Sequence, residues 1–109
     1  MRITIGAGIG QDKNGVALQA GQVHFAVTAI EDRAAAMFGG ATILRTHGIW
    51  RDDKRGELAR EAGVTVLIYT EDSPVVEQAA RQFAEFVRDE LGQACVAFVV
   101  ERGVNVEFV

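Results

Sequence analysis

Cysteine and proline each occur once in the 109 residues, as do tryptophan, tyrosine and serine, and there are two histidines. A solitary Cys95 cannot close an intramolecular disulfide, which excludes the stapled scaffold of a small secreted domain. Its position inside an apolar run predicts a buried structural thiol and a reducing, cytoplasmic setting. One proline and no low-complexity stretch exclude a linker or a disordered arm. No apolar run reaches the length needed to cross a bilayer, and the opening Met1-Arg2-Ile3-Thr4-Ile5-Gly6 lacks the apolar core of a signal peptide. His24 and His47 are too few for a metal cluster, and Ser73 lies in no nucleophile-elbow context, so neither a metal nor another cofactor is expected.

Charge is also sparse in net terms. Acids and bases are interleaved to a formal charge of −4 and an isoelectric point of about 5.1, which argues against an extended nucleic-acid-binding face. With 49% apolar residues, residues 1–109 form one globular domain large enough to bury a core.

Ile3, Ile5, Ala7 and Ile9 alternate with Thr4, Gly6 and Gly8, predicting a strand over Arg2–Ile9. Gly10 to Gly15 is turn chemistry, with Asn14-Gly15 at its end. The segment Gly6-Ala7-Gly8-Ile9-Gly10-Gln11 is not a dinucleotide loop, because Gln11 stands at the third glycine position and a loop, not a helix, follows. Val23, Val27, Ile30, Ala34 and Phe38, supported by Ala26 and Met37, recur at helical spacing over Ala20–Phe38, and Gly39-Gly40 supply a cap. Ala41–Trp50 reads as a strand, Arg51–Gly56 as a polar turn, and the β-branched Val64–Tyr69 as a central strand, the pair forming a long hairpin. Ser73-Pro74 starts a second helix, with Val76, Ala80, Phe83, Val87 and Leu91 on one stripe and Gly92 at its end. Glu77, Arg81 and Glu85 stand at i,i+4 spacing on its solvent side. Ala94–Glu101 is a further strand, and Val104–Val109 is expected to be a short final one.

The order βαββαβ, plus the short C-terminal strand, predicts an α+β, ferredoxin-like split-βαβ sandwich with both helices on one face of an antiparallel sheet. Two helices cover one face only. Val66 and Ile68 oppose Leu67 and Tyr69 in parity, and Val96, Phe98 and Val100 oppose Cys95, Ala97 and Val99, so the second face is also apolar. A homo-oligomer formed through that face, near Leu67, Tyr69, Ala97 and Val99, is the simplest cover. Thr4, Gly6 and Gly8 on the same face predict a trough that a ligand or another backbone can approach closely, unless the glycines only relieve twist.

The candidate ligand-binding residues are Thr42, Arg45, His47, Trp50, Arg51, Glu61 and Tyr69. Trp50 offers an aromatic plane, Arg45 and Arg51 suit a phosphate or carboxylate, and His47 suits a general base or a hydrogen bond to a ligand. Glu61 can return across the hairpin toward them. Each also has a plain structural reading: packing for Trp50, surface pairing for the arginines, and a solvated face for Glu57, Arg60 and Glu61.

The pattern Phe38-Gly39-Gly40-Ala41-Thr42, then Gly48-Ile49-Trp50, Leu58-x-x-Glu61 and Leu91-Gly92-Gln93-x-x-Val96 resembles a family of small uncharacterised proteins of bacteria and their phages. It is similar, more distantly, to a bacterial domain of unknown function. The resemblance spans roughly Gly10 to Val109. It implies a compact α+β fold, a phage or prophage setting and motif positions at Thr42, Gly48, Trp50 and Glu61, and it brings no catalytic activity. The leading expectation is a non-enzymatic binder that sequesters a small polar, nucleotide-like ligand in an oligomeric pocket. The alternatives are a protein-binding inhibitor or assembly module, and a small acid–base enzyme using His47 and Glu61.

Overall fold

A computed structural model describes residues 1–54 and 56–109, with the side chains of Trp50 and Asp52 also outside the described part. Arg55, within the expected hairpin turn, therefore lies outside it too. The element order is β1 (Arg2–Gly8), α1 (Ala20–Phe38), β2 (Thr42–Asp52), β3 (Glu57–Tyr69), α2 (Pro74–Glu90) and β4 (Ala97–Glu101). The strands form one four-stranded sheet in the order β2-β3-β1-β4, and every neighbouring pair is antiparallel. This is the expected ferredoxin-like α+β sandwich.

The core forms between the helices and the face of the sheet they cover. Ile3, Ile5, Val66, Ile68, Phe83 and Val87 are fully buried there, each contributing about 1.5–3 kcal/mol of transfer free energy relative to exposure. Val23, Ala26, Val27, Ile30 and Ala34 bury the stripe of α1, and Phe38 meets Phe83 edge to face with centroids 5.6 Å apart. The helix ends follow from their sequences. Gly39 takes φ 80° and its N–H donates to the Ala35 carbonyl, a conformation that costs a side-chain-bearing residue about 1–2 kcal/mol. Ser73 Oγ accepts from the Val76 N–H ahead of α2, where Pro74 sits in the first turn. Among the described residues no helix is long and apolar enough to cross a membrane.

Five expectations are corrected. β3 starts at Glu57 rather than Val64: its first residues pair only with β2, because β1 reaches no further than Gly8 opposite Gly63. A two-stranded arm has one partner strand and no core beneath it, so its sequence lacks the apolar alternation that marks a strand. Val104–Val109 forms no strand, and β4 begins at Ala97 rather than Ala94, since five residues suffice to pair the length of β1 from Arg2 to Gly6. Cys95 is exposed, not buried, because it precedes the strand in the turn after α2. The i,i+4 pairs on α2 give way to tertiary contacts: Glu77 binds Arg102 at 2.7 Å, and the Arg81 guanidinium lies 5.0 Å from the centre of the Phe98 ring.

Candidate ligand-binding site

The site is on the sheet face that the helices leave open. Strand alternation puts Thr4, Gly6 and Gly8 on the opposite side from buried Ile3, Ile5 and Ala7. Register then aligns small residues across three strands: Gly6 faces Thr65, Gly8 faces Gly63, Thr46 faces Gly63 and Gly48 faces Glu61. On the far side Ala97 pairs with Gly6. The result is a trough of about 260 Å³ lined by Gly6, Gly8, Thr46, Gly48, Glu61, Gly63, Thr65 and Ala97, among others. A second concavity of about 300 Å³, bounded by Gly10, Gln11, Ala17, Arg60 and Glu61, adjoins it. Glu61 and Ala62 line both.

Glycine at two positions is what makes room. A β-carbon on Gly8 would collide with Glu61 Oε1 and stand 2.9 Å from its Cδ, with Gln93 Oε1 at 3.3 Å. A β-carbon on Gly63 would meet the Ala7 carbonyl oxygen at 2.9 Å and Thr46 Oγ1 at 3.0 Å. The Glu61 side chain therefore folds down onto the strand floor. It is half-buried, yet no cation or donor among the described residues binds it. Within the trough lining it is the single titratable group. A carboxylate desolvated in part and left unpaired creates a negative potential that a ligand's donors or positive charge would satisfy.

The seven expected residues divide. Thr42, Glu61 and Tyr69 share the open face, where Thr42 and Tyr69 line a separate hollow with Leu67, Gly40 and Phe108. Arg45, His47 and Arg51 have the opposite parity in β2 and are exposed on the other side of the hairpin. His47 lies across from Ala62 while Glu61 lies across from Gly48, so the two do not converge as an acid–base pair. Trp50 pairs with Ala59 through the backbone, and its side chain lies outside the described residues. Sequence reading named Thr4, Gly6 and Gly8 as a trough but missed Thr46, Gly63 and Gln93. The signal for Gly63 was a glycine opposite a glycine, which only the register reveals.

A different groove, between α2 and β4, contains Arg81, Arg88, Cys95 and Phe98. Its cations are already engaged, Arg88 with Asp89 at 3.0 Å and Arg81 over Phe98. The glutamate trough is the better candidate.

No protein-family model matches the chain, and no curated protein matches it. Among solved structures the chain is similar to a phage SAM lyase in complex with S-methyl-5'-thioadenosine, with 14% identity, a TM-score of 0.56 and coverage of 95% of this chain and 92% of that one. It is equally similar to a phage SAM lyase in the apo state, with 15% identity, a TM-score of 0.56 and coverage of 95% and 91%. At this identity the likeness establishes a shared fold over almost the whole chain.

Proposed function

We propose that the protein is of phage type and binds S-adenosylmethionine in the Glu61 trough, breaking a carbon–sulfur bond to release S-methyl-5'-thioadenosine. The observation that carries this reading is the Glu61 carboxylate, unpaired among the described residues and held over Gly8 on a floor of glycines and threonines. The fold shared with phage SAM lyase supports it.

The chemistry asks little of the protein. A sulfonium is its own leaving group: when the bond to the methionyl γ-carbon breaks, the electron pair goes to sulfur and a neutral thioether departs. The substrate's carboxylate can supply the new bond at that carbon by closing a lactone, which needs neither water nor an external base. Positioning and electrostatics are then the protein's contribution. A site with one titratable group and no convergent histidine suits that division of labour. The threonine hydroxyls of the floor offer donors and acceptors to a ribose, and the missing side chains at Gly6 and Gly8 let it approach the backbone.

The trough is open and smaller than most closed ligand pockets. A second copy of the chain covers the apolar remainder of this face, where Leu44 and Val99 are 46% and 45% exposed, and encloses the ligand in a homo-oligomer.

Incubating purified protein with S-adenosylmethionine and separating the products by liquid chromatography tests the reading. Thioether appearing in equal amount to the sulfonium consumed is expected. Binding by calorimetry without product would favour sequestration, the reading that the absence of a convergent base pair also accommodates. No binding at millimolar nucleoside overturns both.

A further inference from the structure

Gln93 holds a fixed place beside Glu61. Its backbone N–H donates to the Arg88 carbonyl at 2.9 Å, tying it to the end of α2. Its side-chain nitrogen donates to the carbonyls of Gln11, at 2.8 Å, and Leu91, at 2.9 Å. Turning the amide over would set oxygen against oxygen twice, so these bonds decide which end is which. Oε1 is left facing Gly8, 3.3 Å from the position of an added β-carbon, where the Glu61 carboxylate also stands. No donor among the described residues serves that oxygen.

Two acceptor oxygens without donors thus meet above one glycine, one carrying full charge and the other the negative end of an anchored dipole. We infer that Glu61 and Gln93 together receive the positive charge of the ligand, and that Gln93 is a positioning residue that makes the trough prefer a charged nucleoside to a neutral thioether. This rests on the nucleoside-sulfonium reading of the trough. The amide adds attraction without adding a proton to titrate. It also helps turnover, because bond breaking removes the charge on sulfur and weakens the hold on the product.

The positive charge of S-adenosylmethionine sits on sulfur and on the methionyl ammonium. Calorimetry with three uncleaved nucleosides separates them: an aza analogue, at a pH where its amine is protonated, carries both charges; S-adenosylhomocysteine keeps only the ammonium; S-methyl-5'-thioadenosine has neither. The wild type is expected to bind the first at least tenfold more tightly than the last, with S-adenosylhomocysteine beside whichever it resembles. Gln93→Met should reduce that ratio at least fivefold, and Gln93→Lys, whose ammonium can still donate to the Gln11 and Leu91 carbonyls, should abolish or invert it. A merely structural role would weaken all three ligands alike and leave the ratio unchanged, which overturns the inference. Equal wild-type affinities for charged and neutral nucleosides overturn it without any variant. If none of the three binds the wild type, the reading of the trough itself has failed.

Discussion

Glu61 occupies the space that a side chain on Gly8 would need, so the placement of the one carboxylate in the trough depends on a missing β-carbon one strand away. Gly8 has no positive φ, and alanine can take its backbone conformation. Gly8→Ala is therefore expected to keep the fold, with stability changed by no more than about 1 kcal/mol, while displacing the carboxylate. A displacement of about 1 Å can cost about a hundredfold in activity. Circular dichroism together with thioether production checks this; an active, folded Gly8→Ala protein would remove Glu61 from the site.

Glu61→Gln keeps the shape and removes the charge. Since the carboxylate has no intramolecular partner among the described residues, the melting temperature should hardly move, within about 0.5 kcal/mol in stability. Nucleoside affinity should fall by about 1.5–3 kcal/mol, the usual worth of a hydrogen bond to a charged group. Unchanged affinity with full turnover is the outcome that contradicts the assignment.

The fold was readable because local signals agreed with it: the Val76 to Leu91 stripe, the Ser73-Pro74 start, the Gly39 cap and the parity of β1 all survive in three dimensions. The open, partly apolar face was legible for the same reason, since two helices cannot cover both sides of a sheet. The site was readable in part. Glu61 was named, but its neighbours Thr46 and Gly63 are set by inter-strand register, which the local sequence pattern did not reveal. Arg45 and His47 were misleading because nearness along a strand alternates faces. Gln93 stood in the Leu91-Gly92-Gln93-x-x-Val96 pattern, but its place beside Glu61 was not legible there, because it comes from the turn after α2 and is held by a bond to the distant Gln11 carbonyl.

Phe83 is fully buried, and its ring contacts Phe38 and Phe86. It is the largest of the fully buried side chains. Phe83→Ala should cost about 3–5 kcal/mol by urea denaturation, combining lost transfer energy with an unfilled cavity. A midpoint equal to that of the wild type would contradict the orientation of α2.

Cys95 stands exposed between α2 and β4, within reach of a small aromatic disulfide reagent. The native protein should titrate one thiol without denaturant. Labelling that waits for unfolding would mean that the thiol is covered, either by the chain itself or by a second copy, and repeating the reaction at dilutions that dissociate oligomers separates these two outcomes.

The open face sets the last prediction. Leu67, Tyr69 and Val99 have no helix above them, and the shallow trough beside them does not enclose a nucleoside by itself. Sedimentation at micromolar concentration should therefore give a mass that is a multiple of 11.8 kDa. Val99→Glu places a charge on this face without touching the helix-covered core, to which Val99 does not belong. It should reduce the protein to monomers that remain folded, because a carboxylate at an apolar interface must lose its hydration to dock. If assembly completes the site, ligand affinity falls with the same substitution, even though Val99 is absent from the trough lining. A monomeric wild type that still binds the nucleoside tightly would show that one copy suffices, and would leave the apolar face without its proposed role.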